Sequence, residues 1–136
     1  MSLASRHIAR RTATQALYQW MITGDKLIVS NEVDFIGSDN LKNADTEYFN
    51  RLVSEIPKNI EVLENALQIF IERPIDKLDP VERVIILIGT FEIMFQPEIP
   101  TKVIINEAIE VSHIYGAEES YRFVNGVLDK LATERR

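Results

Sequence analysis

The stretch "LDPVERVIILIGTFEIMF", Leu78 to Phe95, constrains this chain more than any other. Asp79 can cap a helix, Pro80 suits its first position because the missing N–H is not needed there, and Glu82 stands at the third, the capping-box position. The helix so started runs to about Phe95. Val81, Val84, Ile85, Leu87, Ile88, Phe91, Met94 and Phe95 cover most of its circumference. A helix apolar on most sides must be enclosed by other elements. The run from Val84 to Phe95 is broken by Gly89, Thr90 and Glu92 and is too short to cross a bilayer. The rest of the chain therefore has to supply amphipathic partners.

It does so with a helical period nearly throughout. Ser5 can cap a first helix reaching about Ile22, with Ala9, Ala13, Ala16, Leu17 and Trp20 on one buried face. Gly24 and Asp25 end it. Residues 23–44 are mixed, with a short helix expected around Ile28 to Phe35 and "GSDN" as a turn. Tyr48, Phe49, Leu52, Val53 and Ile56 form the next stripe, stopped or kinked at Pro57. Ile60, Leu63, Leu67, Phe70 and Ile71 form another. "RPIDKLDP" is a connection, and "QPEIP" is a turn. Lys102 to Tyr115 is a helix closed by Gly116 as a C′ residue. A last helix, about Glu119 to Leu131, turns Phe123, Val124, Val127, Leu128 and Leu131 inward. Gly126 within it costs roughly 1 kcal/mol relative to Ala, which predicts close approach to a neighbouring helix. The fold class is all-α, with six or seven helices packed as bundles. No repeat or low-complexity segment is present.

With 136 residues, 46% of them apolar and 26% charged, the chain has the size and composition of one soluble domain. The absence of cysteine excludes disulfides, a thiol nucleophile and cysteine-held metals. No apolar stretch of signal-peptide type follows the first basic residues, so the cytoplasm is the expected location. Charge is uneven. Residues 1–24 carry Arg6, Arg10 and Arg11 and no Asp or Glu, a balance of +3; the other 12 Lys plus Arg face all 21 acids, a balance of -9, which leaves the net -6. A basic start on an acidic body points to an anionic partner for one and a basic partner for the other.

Catalytic chemistry has no visible constellation. His7 and His113 are the only histidines, too few for a zinc site without cysteine. No phosphate-cradling glycine loop and no nucleophile elbow occurs. Glu118 and Glu119 are adjacent acids where a helix start favours them. His113 falls in a last turn, where a cation is also favoured. No enzyme, metal or cofactor is expected.

The first helix is the candidate binding element. At 100° per residue, His7, Arg11, Thr14, Gln15 and Tyr18 share a polar face, with Arg6 and Arg10 flanking the apolar side. Arg6 and His7 occupy the first turn, where the helix dipole disfavours cations by several tenths of a kcal/mol. Cations interleaved with an aromatic suit single-stranded RNA, arginine for phosphate and tyrosine for base stacking. A solvated basic face with Tyr18 packed on a neighbour accounts for the same residues.

The blocks "LDPVERVIILIGTFEIMF", "IPTKVIINEAIEVSHIYG" and "RFVNGVLDKLA", with "TATQALYQW" near the start, resemble the signature blocks of the NusB family of bacterial transcription antitermination factors. The resemblance covers about half the residues and nearly the full length. It implies two small helical bundles, here about residues 1–72 and 73–136. It also implies binding of boxA RNA together with NusE, a small-subunit ribosomal protein. That complex joins the other Nus factors on RNA polymerase and suppresses termination, notably in ribosomal RNA operons. By position, the RNA contacts are matched by Arg6, His7, Arg10, Gln15 and Tyr18, with Arg11 supplying a further cation. At the last helix they are matched by Glu119 and Phe123, with Arg122 beside it. The NusE surface is matched by Phe70, Arg73, Asp76 and Glu82. Four features depart from the family pattern, the first being Arg11 where many members have Glu. His7 and Ile8 interrupt the basic run, Thr101 stands where Tyr is usual, and the basic tail is reduced to Arg135 and Arg136.

Two other readings compete. A protein-interaction module that self-associates as a homodimer, burying the first helix and binding RNA weakly or not at all alone, fits the interrupted basic run. Some RNA methyltransferases carry a similar N-terminal domain, but no dinucleotide or methyl-donor fold is expected within these 136 residues, and such a domain encoded downstream in frame would revive that reading.

Overall fold

The computed structural model describes residues 3–24 and 45–136. Among them lie six α-helices and one 3-10 turn, with no strand: α1 (Leu3–Thr23), α2 (Thr46–Lys58), α3 (Ile60–Gln68), the 3-10 turn (Ile75–Lys77), α4 (Pro80–Phe95), α5 (Thr101–Tyr115) and α6 (Ser120–Arg135). The short helix and turn expected between Ile28 and Phe35 and at "GSDN" lie outside the described residues. The fold is all-α as the sequence requires.

The chain forms two compact units, Met1–Lys58 and Asn59–Arg136. The division therefore falls at the Pro57 break rather than after residue 72. The reason is that α3, with Leu63 and Leu67 fully buried, packs on α4 and α6 and so belongs to the second unit.

In the first unit α1 packs on α2. Ala9, Ala13, Ala16 and Leu17 are buried, and their small size lets the helices approach. Trp20, expected inward with them, is only half-buried. The whole stripe from Tyr48 to Ile56 is buried on α2. Asp45 sets the start of α2: its Oδ1 accepts the Tyr48 N–H at 3.0 Å, and its own N–H donates to the Ser5 carbonyl at 3.0 Å. Ser5 is therefore not a cap, since α1 already begins at Leu3. Arg6 stays in the first turn, but His7 falls beyond it. At the other end Gly24 adopts φ +74°, the left-handed conformation that closes many helices. Its N–H donates to the Trp20 carbonyl at 2.8 Å.

In the second unit α4 is the central helix, packed by α3, α5 and α6. Asp79 caps it, with Oδ1 accepting the Val81 and Glu82 N–H groups at 2.9 and 3.2 Å. Every residue from Val84 to Ile93 is buried, including Thr90 and Glu92. Burying one large aliphatic side chain is worth roughly 1.5–3 kcal/mol, so this helix dominates the unit's stability. Arg83 ties α4 to α3 through two contacts with Glu64 Oε2, both 2.7 Å, with both side chains about one-fifth exposed.

Two glycine readings change. Gly116 is extended, at φ -85° and ψ 168°, rather than left-handed. A side chain there would stand 2.8 Å from the Ser112 carbonyl and 2.9 Å from Ser120 Cβ, so the tight α5–α6 junction demands glycine by space. The close helix approach expected at Gly126 occurs instead at Gly89 on α4, where an added Cβ would lie 2.7 and 2.9 Å from the Leu128 methyls.

Candidate nucleic-acid and partner surfaces

The first candidate surface is α1. Of its polar residues, Gln15 and Tyr18 are exposed, the latter by 39%, while His7 and Arg11 are half-buried. Thr14, placed on this face by helical angle, is buried: its hydroxyl donates to the Arg10 carbonyl at 2.8 Å, and Thr12 does the same to Ile8 at 2.9 Å. A hydroxyl satisfied four residues back can face inward at little cost, which angle alone does not reveal.

The arginines divide. Arg10 is 3% exposed. Its guanidinium carbon lies 5.5 Å from the Tyr48 ring centroid, and that of Arg6 lies 4.3 Å from the same ring. Arg6 Nε also stands 3.9 Å from Asp45 Oδ2. Arg6 and Arg10 thus serve the α1–α2 packing, whatever else they contact. The arginine that remains on the outer side of α1 is Arg11, with the imidazole of His7 one turn before it.

The second candidate surface lies wholly in the second unit. A groove of about 570 Å³ is lined by Phe70 to Arg73 after α3 and by Arg122, Phe123, Gly126, Val127 and Lys130 on α6. It joins two residues assigned by position to the protein partner, Phe70 and Arg73, with two assigned to RNA, Arg122 and Phe123. Glu119 stands at the α6 N-cap but makes no capping bond. Its Oε2 pairs with Arg122 Nε at 3.1 Å, with both side chains about 70% exposed. Arg122 Nε also donates to the Tyr121 hydroxyl at 3.1 Å, and this bond raises the guanidinium pKa above its ordinary value, so Arg122 stays a cation at any working pH. Tyr121 is held in turn by His113, whose ring centroid is 4.7 Å away.

Asp76 is exposed in the 3-10 turn, and Glu82 is half-buried in the first turn of α4. Neither lines the groove.

Sequence reasoning missed two contributors. Gln68 fixes the segment that carries Phe70 and Arg73: its Nε2 donates to the carbonyls of Ile71 and Arg73 at 3.2 and 2.9 Å, while its Oε1 accepts the Ile75 N–H at 3.0 Å. Nothing periodic marks it. Lys130 was legible: it lies four residues after Gly126 and seven after Phe123, one helical face. Arg136 is also reassigned. Instead of ending a basic tail, it donates to the carbonyls of Glu92, Ile93, Gln96 and Ile99 and to the Thr101 hydroxyl, at 2.6 to 3.3 Å.

Among the described residues no group of three His, Asp or Glu side chains is placed to hold a metal ion, and no helix is long and apolar enough to cross a membrane. The geometry defines a class: an all-α protein whose surfaces pair cations with aromatic rings.

The NusB family model matches residues 7–133. The transcription antitermination protein NusB of Pasteurella multocida (strain Pm70) is 39% identical over 130 residues, 96% of this chain and 90% of that protein. Its counterpart in Legionella pneumophila (strain Corby) is 42% identical over 135 residues, 99% and 91% of the two chains. The solved structure of T. maritima NusB matches with a TM-score of 0.84 at 28% identity, covering 96% of this chain and 92% of that one. The chain belongs to the NusB family, the family of these transcription antitermination proteins.

Proposed function

We propose that this protein is a cytoplasmic transcription antitermination factor that binds boxA RNA together with NusE and, with the other Nus factors on RNA polymerase, suppresses termination in ribosomal RNA operons. Membership of the NusB family over residues 7–133 carries the reading. The outer side of α1 supports it: an exposed ring at Tyr18 and an exposed amide at Gln15 share that side with the half-buried Arg11 guanidinium and His7 imidazole. At the start of α6, Arg122, Phe123 and the N-cap residue Glu119 supply the second set of RNA contacts. Arg73 and Asp76, exposed near the half-buried Phe70 and Glu82, supply the NusE surface. Arg6 and Arg10 contribute mainly by holding α1 on α2 rather than by contacting phosphate.

The test is binding of boxA-like and scrambled RNA with and without NusE. The boxA-like strand should bind more tightly, and the difference should grow when NusE is added. Each phosphate contact should add about -0.7 to the slope of log affinity against log salt. Tyr18→Ala should cost ~1–3 kcal/mol if the ring stacks on a base. Equal affinity for the two RNAs in the presence of NusE would refute the proposal.

A further inference from the structure

Arg122 is held by two side chains of different kinds. Both meet it at Nε, the Glu119 carboxylate and the Tyr121 hydroxyl each at 3.1 Å. Its terminal amino groups make no hydrogen bond among the described residues. That end of the guanidinium can meet a phosphate with two parallel N–H bonds.

The two holders differ in how firmly they are themselves held. Glu119 and Arg122 are both about 70% exposed, so their ion pair is screened and must order two long side chains. It also sets an anion against any approaching phosphate, since both would share one cation. Tyr121 is half-buried. Its ring centroid lies 4.7 Å from that of His113, tilted by 38°, within the spacing that aromatic pairs favour. The Arg122 guanidinium carbon is 5.7 Å from the same tyrosine ring. His113 stands in the last turn of α5 and Tyr121 in the first turn of α6, across the junction at Gly116 that has no space for a side chain. The ring is therefore braced from the neighbouring helix, and a tyrosine has few rotatable bonds to immobilise. Its hydroxyl is neutral, so it directs the guanidinium without cancelling the charge.

We propose that Tyr121, braced by His113, is a positioning residue for RNA binding: it aims the Arg122 guanidinium so that the terminal amino groups can meet a phosphate. This rests on the assignment of Arg122 to RNA under the proposed function, and adds two residues that act only through it. The test is a double-mutant cycle on affinity for boxA-like RNA with NusE present, with thermal unfolding of each variant to establish that it is folded. Arg122→Gln should lower affinity and reduce the salt slope by about 0.7. Tyr121→Phe keeps the ring and deletes the hydroxyl. It should lower affinity by about 2- to 5-fold, the scale of an exposed polar contact to a charge, and by nothing further once Arg122 is replaced by glutamine. His113→Ala should weaken binding in the same direction, and His113→Phe, which restores a ring against Tyr121, should recover it. Unchanged affinity in Tyr121→Phe would overturn the proposal. So would an equal loss in both backgrounds, which would make Tyr121 a direct RNA contact. Failure of His113→Phe to recover the loss would overturn the brace. Wild-type affinity and slope in Arg122→Gln would remove Arg122 from the RNA surface and the proposal with it, whereas the RNA-binding reading itself fails only if the wild type binds boxA-like and scrambled RNA equally.

Discussion

Arg136 should be one of the main stabilisers of the second unit, and Arg136→Ala tests this directly. The last turn of a helix leaves carbonyl groups without intrahelical partners and a partial negative charge. At the end of α4 the Arg136 guanidinium meets the carbonyls of Glu92 and Ile93 at 3.2 and 3.3 Å, then those of Gln96 and Ile99 in the following turn at 3.0 and 2.6 Å. Taking only the two shortest bonds, at the low end of about 1.5 kcal/mol each for a charged donor, gives about 3 kcal/mol. Ordering a long side chain offsets up to about 2 kcal/mol of that, and the helix-end charge returns about 0.3–1 kcal/mol. The net expectation is a loss of about 2 kcal/mol, or roughly 6–8 °C in Tm for a chain of this size. Arg136→Lys keeps the charge without the planar fork and should recover less than half of it. Urea and thermal unfolding followed by circular dichroism give both numbers. The RNA salt slope should stay as in the wild type, because this arginine is spent on carbonyls. A loss below about 0.5 kcal/mol, or a slope reduced by about 0.7, would show that the clamp is not made and that Arg136 belongs to an RNA-binding tail.

Gly89→Ala should destabilise by about 1–2 kcal/mol despite the better helix propensity of alanine, because Leu128 is fully buried and its methyls cannot simply swing aside; denaturation that is unchanged or improved would mean the α4–α6 contact is looser than described. Gln68→Ala removes three hydrogen bonds across Ile71 to Ile75 and should cost about 1–2 kcal/mol, with proteolysis near Arg73 accelerated; protection equal to wild type would show the segment does not depend on this amide. Tyr48→Leu deletes the ring shared by Arg6 and Arg10 and should cost about 1–3 kcal/mol, read by urea unfolding; a cost no larger than a volume-conserving core swap would reduce the ring to packing alone.

The fold was readable because its signals are local. Asp79, Pro80 and Glu82 mark the start of α4 and appear where expected, α4 is buried all round as its apolar run requires, and the stripe on α2 obeys the helical period. The misreadings were of contacts. Gly116 and Gly126 look alike on paper, a glycine near a helix end and a glycine within one. One is enforced by a carbonyl 2.8 Å from its absent Cβ, and the other faces open space. Gly89 drew notice only as a break in an apolar run, yet it is where α6 comes close to α4. Gln68 acts through loop carbonyls, and no pattern in a sequence announces which carbonyls need a donor.

The acid-free start of the chain shows how a broken local rule can mislead about its cause. Cations at the beginning of α1 oppose the helix dipole, and with no acid among the first twenty-four residues the mismatch points outward, to RNA. Part of the compensation is internal and non-local. Asp45 stands 3.9 Å from Arg6 while capping α2, and the buried ring of Tyr48 faces both Arg6 and Arg10. One acid and one aromatic from α2 and its cap thus account for two of the three arginines. The basic charge that α1 can offer a phosphate is then smaller than composition implies, and it is concentrated at Arg11. That asymmetry gives Arg11 a specific importance: with the basic run interrupted at His7 and Ile8, it is the arginine of α1 not committed to the Tyr48 ring, so it should carry more of the salt dependence of RNA binding than Arg6 and Arg10 together.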